Sequence, residues 1–485
     1  MFKFYNNLGF HNPYYFFVNN KLIIDGSFKN ILENLENHNV LLDFEGLIEA
    51  FCTGFCFGDR TLVKGISKTP WMARPNKNST DWEYYDVPKH GLIEKDQNEI
   101  AKHFYNLLEN ELIQYVSEYQ NIGILLTGGM DSRIVAIVLN NAIKLGKLLN
   151  KSVFAYTWGN KNSRDVIYAS EIAKIYNWKW KHLEVDQDQM RENIEYGISE
   201  GAEFSPIHLH AMSKLTQENY LDCVLAGSFG DSVGRAEFSG RKVQDLNSIE
   251  NKIINFGGLI RDDLFYKSKE NIVNDINKYH IIFPEKELYQ QFEVDQQLHY
   301  MRRMLNACMN IINNKIPLFQ MFGSPEVFGY MWSIHPDLRN DLIYKLIIDN
   351  YGRELINIPW ARTGLIFPNK EGTPDNHKKS HHNYGEMIRT SFLLEIKEYF
   401  ISKDEILSKI FNSRNVFGLI KNLESFPIRN SHIFEEKLIY IYQVIKFIDK
   451  YKINIPYSRY RGKISSYLKE DIKYKIRYYY KSKIK

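Results

Sequence analysis

One stretch limits what this chain can fold into: Gly123-Ile-Leu-Leu-Thr-Gly-Gly-Met-Asp-Ser-Arg133, followed by an apolar run to residue 145. Residues 123–126 read as a short buried strand and 127–130 as a tight turn. Asp131 onward reads as a helix, with Ile134, Val135, Ile137 and Val138 at helical spacing. Strand, glycine turn and helix make an anion-binding layout. Gly128 and Gly129 let the backbone approach a ligand with no Cβ in the way, and the N–H groups of a first helical turn point at it. Thr127 and Ser132 add hydroxyl donors. Asp131, a carboxylate in a turn suited to phosphate, makes chemical sense if magnesium bridges it to the ligand. The blander reading, that Asp131 only caps a helix, is disfavoured because both hydroxyls, both glycines and both flanking elements occur together. No Gly-x-x-x-x-Gly-Lys-Ser/Thr is present, which argues against a Walker-type loop.

The surroundings extend this pattern. Residues 94–120 form an amphipathic helix with Ile100, Phe104, Leu107, Leu108, Leu112, Ile113 and Val116 on one side. A strand over 152–158, a helix over 163–176 and a strand over 180–185 follow. Strands alternating with helices predict an α/β fold with a doubly wound parallel sheet, and such sheets bind ligands at the carboxyl ends of their strands. A second glycine-rich turn closes Asp222-Cys-Val-Leu-Ala-Gly-Ser-Phe-Gly-Asp-Ser-Val-Gly234, with Asp231 as its carboxylate. A strand-to-turn Asp can also be a simple Asx-turn residue.

At 485 residues the chain has room for about two domains with substantial cores. Residues 1–95 alternate short apolar runs with Asn, Gly and Pro and suggest small β-structure, with a helix near 44–51. No run approaches the roughly 20 apolar residues of a membrane span, and the cytoplasm is the expected location. Cys52, Cys56, Cys223 and Cys308 are scattered, which suits a reducing compartment better than a disulfide framework. His208, His210, His381 and His382 are read as ordinary polar histidines, because residues 206–215 look like the start of a helix, where His-x-His does not converge on a metal. The net charge of +4 conceals an asymmetry: residues 458–485 hold ten Lys/Arg against two Asp/Glu. From Lys463 this tail has amphipathic spacing. It can lie on an anionic membrane, dock on its own protein or meet RNA; docking is preferred, peripheral membrane contact is retained, and no nucleic-acid partner is expected.

The turn at residues 127–132 resembles the pyrophosphate loop, Ser-Gly-Gly-x-Asp-Ser, of the ATP pyrophosphatases, which cleave ATP between its α and β phosphates while adenylating a carboxyl or carbonyl group. Residues 42–70, with Arg60-Thr-Leu62 and Gly65-Ile66, resemble the end of the glutaminase domain of glutamine-dependent asparagine synthetases and narrow the family to that branch. The resemblance implies ATP and Mg2+ as cofactors. It places Asp131 and Asp231 as metal-binding residues, and Leu125, Thr127, Gly128, Gly129, Asp131, Ser132, Tyr156, Gly227 and Asp231 around the nucleotide, with Leu125 and Tyr156 on the adenine. Residues 316–336 resemble a turn and helix beneath the family's active site. In Ile358-Pro-Trp-Ala-Arg-Thr-Gly364, Arg362 matches the arginine of the family's Arg-x-Lys, whereas Gly364 stands where the lysine should be. A mobile lid over 367–384 is the expected source of the missing cation, with Lys370 the leading candidate beside Lys378 and Lys379.

Other departures concern the substrate. The chain begins Met1-Phe2-Lys3, so no N-terminal cysteine nucleophile is available, and Ser228 and Ser232 replace acids of the family's second motif. The expected organisation is a degenerate glutaminase-like segment over 1–95, a synthetase-like ATP-pyrophosphatase domain over 96–400 and a helical extension with the basic tail over 401–485. The expected function is an amide-forming ligase without glutaminase activity of its own. It would join a small carboxylate such as aspartate to ammonia or an amine, drawn from solution or from a separate amine-supplying partner. Two alternatives stand beside it: a ligase acting on a sugar acid or peptide carboxylate, and a nucleotide-binding scaffold without turnover.

Overall fold

The computed structural model describes residues 12–35, 40–78, 80–87, 89–237, 249–369, 371–425 and 432–456. Lys370 and the basic tail lie outside the described residues. Strands β1 (Tyr14–Val18) and β2 (Lys21–Asp25) form an antiparallel hairpin. Asn19 and Asn20, at φ 50° and 61°, make its two-residue turn in the left-handed region that asparagine tolerates. Helix α1 (Phe44–Thr53) starts where the Asp43 carboxylate accepts from the Gly46 N–H at 2.9 Å, and stops at Gly54, φ 95°.

Five strands form the central sheet: β3 (Asn121–Leu125), β4 (Ser152–Trp158), β5 (Lys179–Leu183), β6 (Cys223–Ala226) and β7 (Leu318–Gln320). Their order is β7-β6-β3-β4-β5 and every pairing is parallel, so the doubly wound α/β sheet read from the sequence is the fold. From β3 the chain steps outward through β4 and β5, then crosses back to lay β6 on the opposite side of β3. The ends of β3 and β6 are therefore neighbours at the point where the strand order reverses, the place where such sheets take ligands.

Helix α2 (Gln97–Val116) precedes β3, α3 (Met130–Lys144) follows it, and α4 (Arg164–Ile175) links β4 to β5. The apolar residues Ile134, Val135, Ile137 and Val138 recur along α3 at helical spacing. In the fold Ala136 and Leu139 are as fully buried as Ile134, Val135, Ile137 and Val138, because α2 and helix α5 (Asp341–Tyr351) cover its other sides. Burying each of the larger side chains contributes about 1.5–3 kcal/mol, which holds the turn at the head of α3 on a rigid base.

The terminal segments share a core. Phe28, after the hairpin, lies 5.6 Å ring to ring from Phe447 on α6 (Ile433–Tyr451), and Phe51 of α1 is 6.0 Å from Phe411. Arg302 and Arg303 rivet residues 58–60 to the body. Arg302 pairs with Asp59 at 3.2 Å, and Arg303 donates to the Arg60 carbonyl at 2.8 Å while pairing with Glu203 at 2.6 Å.

Candidate active site

The turn after β3 is folded on itself. Ser132 Oγ accepts from the Thr127 N–H at 3.1 Å and donates to the Thr127 carbonyl at 3.2 Å, while Thr127 Oγ1 accepts from the Gly129 N–H at 3.1 Å. Gly129 occupies the N-cap of α3 and supplies no side chain to cap it. Asp131 lies within the first turn, so it is not the capping residue, and the head of the helix carries partial positive charge without a local acceptor from the cap. Glycine at 128 has a steric reason: a Cβ there would stand 2.9 Å from the Ala361 Cβ and 3.0 Å from the Arg164 carbonyl. Arg133 turns away from the crevice and braces the same turn from behind. Its guanidinium is buried and donates to the carbonyls of Ile358 at 2.8 Å and Pro359 at 2.7 Å.

The turn after β6 packs directly onto this one. A Cβ on Gly227 would lie 2.7 Å from the Ser132 nitrogen, and one on Gly230 would lie 2.7 Å from the Asp131 side chain. Phe229 holds φ 71°, a costly conformation for a bulky residue, and leads into a wide π-type turn over Gly230–Gly234. That turn carries Asp231 into the crevice beside Asp131. Burial first, then the Asp131 carboxylate, pushes the Asp231 carboxyl well above the usual carboxylate range, against the pull of Arg235. Two facing acids that resist joint ionisation fit a divalent cation. Magnesium is content with one or two protein carboxylates when phosphate oxygens and water complete its shell. Among the described residues no cluster of three or more His, Cys, Asp or Glu could hold a metal alone.

Leu125 and Tyr156 neighbour each other across β3 and β4, and both are buried in an apolar cluster with Ala226. The Tyr156 hydroxyl is engaged by Tyr220 at 2.7 Å, so it is not a free donor toward the crevice. Arg362 stands at the crevice mouth, 4.6 Å over the Trp360 ring and paired with Glu237. The stretch read as a mobile lid is anchored. The backbone N–H of Asn160 donates to the His381 carbonyl at 2.7 Å, that of Arg164 to the Lys378 carbonyl at 2.9 Å, and that of Lys378 back to the Asn162 carbonyl at 3.1 Å. Asp375 pairs with Arg164 at 3.0 Å. At Gly159, φ 113°, a Cβ would come within 2.2 Å of the His381 carbonyl, so only glycine admits this docking. Gly364 is equally constrained: its φ is 71° and a Cβ would meet the Arg164 guanidinium at 2.5 Å. Arg164 thus fills the space that a longer side chain at 364 would need. The histidines behave as expected of polar residues, with His208 against Glu436 at 3.2 Å and His210 against the Tyr384 hydroxyl at 2.9 Å. Residues 206–215 form two short turns, Pro206–Leu209 and Met212–Leu215, instead of one helix.

Sequence reading missed Arg235. Its guanidinium is buried and reaches Asp131 at 3.3 Å, Asp341 at 3.3 Å and Glu237 at 3.2 Å, with the Tyr344 and Trp360 rings 5.2 and 5.5 Å away. It follows the second signature by one residue, a signal that was available. Asp341 and Tyr344 come from α5, more than 100 residues later, and nothing local marks them.

A parallel sheet with a glycine turn and an acid at each lip of its switch point defines a doubly wound α/β protein. Residues 104–242 match the family model described as asparagine synthase, so that segment is similar to the asparagine synthetases. A putative glutamine-hydrolysing asparagine synthetase of Methanocaldococcus jannaschii is 25% identical over 149 residues, covering 29% of this chain and 26% of that protein. The match therefore spans about a quarter of the relative's length. Two solved structures share a loose likeness. An NH3-dependent NAD synthetase of Campylobacter jejuni is 15% identical with a TM-score of 0.22, over 46% of this chain and 98% of that one. A tRNA thiolase of Methanococcus maripaludis is 13% identical, also with a TM-score of 0.22, over 41% and 79% respectively.

Proposed function

We propose that this protein is an ATP-dependent, AMP- and pyrophosphate-forming ligase that adenylates a small carboxylate, such as aspartate, for attack by ammonia or an amine. The observation that carries this reading is the meeting of the Asp131 and Asp231 turns at the sheet's switch point, with the uncapped head of α3 between them. The N–H groups at the α3 head orient the polyphosphate. Thr127 and Ser132 exchange their mutual hydrogen bond for phosphate oxygens, at little cost because donors and acceptors are conserved in number. Asp131 and Asp231 are the residues that would hold Mg2+, which, when bound, offsets the negative charge building on the departing pyrophosphate. Excluding water from the packed turns strengthens these interactions in the transition state.

The reading includes no glutaminase. Cys56 is buried, burial pushes the Cys52 thiol up to about 12, and each thiol lies against a main-chain carbonyl, so neither is poised as a nucleophile. Glutamate release from glutamine by the pure protein would refute that part. A carboxylate other than aspartate is the second reading, favoured by Gly364, where a lysine would collide with Arg164. ATP–pyrophosphate exchange measured over a panel of carboxylates, with aspartate, sugar acids and peptides included, tests both. Exchange with aspartate supports the first, exchange only with other acids supports the second, and ATP binding without exchange for any acid overturns ligase activity.

A further inference from the structure

Among the described residues, four guanidiniums lie near the phosphate turn, and two of them are committed elsewhere. Arg133 is turned into the core against main-chain carbonyls, and Arg164 is held by Asp375. Arg235 and Arg362 remain on the crevice side, joined by one carboxylate. Glu237 takes Arg235 on Oε2 at 3.2 Å and Arg362 on Oε1, while its N–H donates to the Asp231 carbonyl at 2.8 Å. One carboxylate oxygen per guanidinium is also how two arginines grip a phosphate, which offers more oxygens and more charge. The Trp360 ring, 5.5 Å from Arg235 and 4.6 Å from Arg362, keeps both planes in place whichever anion is between them. Burial differs along the chain of contacts. Arg235 is 2% exposed and fixed by Asp131 and Asp341, whereas Glu237 is 21% and Arg362 47% exposed. An ion pair this open to water is worth little and can be exchanged for a better anion.

We propose that Arg235 and Arg362 clamp the polyphosphate of the nucleotide, and the pyrophosphate it becomes, and that Glu237 occupies the clamp until a polyphosphate displaces it. The proposal rests on the nucleotide reading above. It assigns a binding role to a residue pair, Arg235 and Glu237, that follows the second glycine turn and that the asparagine synthetase resemblance does not supply. It also makes Glu237 a competitor of the ligand, so removing its charge strengthens binding instead of weakening it.

The test is calorimetric titration of the full chain in Mg2+ with inorganic pyrophosphate, and separately with AMP, which has no pyrophosphate chain. Glu237→Gln is expected to tighten pyrophosphate about fivefold and leave AMP unchanged, and Arg362→Gln to weaken pyrophosphate about tenfold, the range for loss of one charge-assisted contact. Arg362 is half exposed, so its variant keeps the fold, which an unchanged melting temperature verifies. In the double variant the gain from Glu237→Gln should shrink, since one of the two guanidiniums that Glu237 occupies is then absent. Equal tightening in the presence and absence of Arg362 would show only a net-charge effect and overturn the clamp, as would unaltered affinity in both single variants. If the wild-type chain binds neither pyrophosphate nor AMP, the nucleotide reading itself falls and takes the clamp with it. Binding of AMP with no response of pyrophosphate to either variant removes the clamp alone.

Discussion

Among the described residues, two sets of buried charge are built differently. In one set, Arg302 meets Asp59, Arg303 meets Glu203 and Arg339 meets Glu293, one guanidinium to one carboxylate, with pair distances of 3.2, 2.6 and 2.6 Å. At the strand ends, Asp131, Asp231, Glu237 and Asp341 surround Arg235, and Arg362 is the second guanidinium in contact with them. The first cluster is balanced and closes on itself. The second has more carboxylate than cation, and Asp231 shows it by resisting ionisation. Balanced pairs fasten segments together; a surplus of one sign at a crevice marks a place that awaits a ligand of the opposite sign.

The largest effect expected from this contrast is at Asp131. Asp131→Ala should lower ATP–pyrophosphate exchange, with whichever carboxylate supports it, by about a hundredfold or more, because it removes a charge-holding group at the reacting phosphates. Retained exchange would mean that the surplus is not used. Next comes the fastening cluster. Arg303→Met strands the buried Glu203 carboxylate and should cost about 3–5 kcal/mol in urea unfolding, whereas Arg303→Met with Glu203→Leu should recover most of it. A single-variant cost under about 1 kcal/mol would erase the distinction between the clusters.

The smallest effect concerns His90, stacked 3.9 Å on Trp332 and held between Glu285 and Glu293. Burial lowers its pKa, but the Glu293 charge and the hydrogen bonds that His90 donates to Glu285 and Glu293 outweigh burial and Arg339, and the net shift is upward from 6.5. A raised folded pKa stabilises fully below 6.5 and loses that contribution as pH rises through the folded value. The melting temperature should therefore decline as pH is raised from 6.5, and His90→Phe should flatten the decline. Glu293, held down to about 2 by Arg339 and His90 despite burial, titrates far below that window and leaves it undisturbed.

Where function was legible, it was legible because it is local. Gly128, Gly129 and Asp131 lie within four residues of one another, and their spacing alone dictates a strand end, an open turn and a helix head. The same holds for Gly227 to Asp231, and for the alternation of strands and helices that gave the parallel sheet. Local rules failed where the partner is remote. A lid was expected over 367–384 because it is polar and loop-like, yet its carbonyls pair with residues 160–164, a match of backbone groups that composition does not encode. A lysine was sought for Gly364, but the fold puts Arg164 there from α4, 200 positions earlier.

By itself, then, the sequence determined the class of sheet, the two glycine turns and the two acids that line them, since backbone freedom and side-chain period act over a few residues. Only the tertiary structure decided that β6 lies beside β3, so that Asp131 and Asp231 face each other and Arg235 falls between Asp131, Glu237 and Asp341. Charge balance at a site is a sum over segments that meet in space, and no stretch of chain carries that sum within itself.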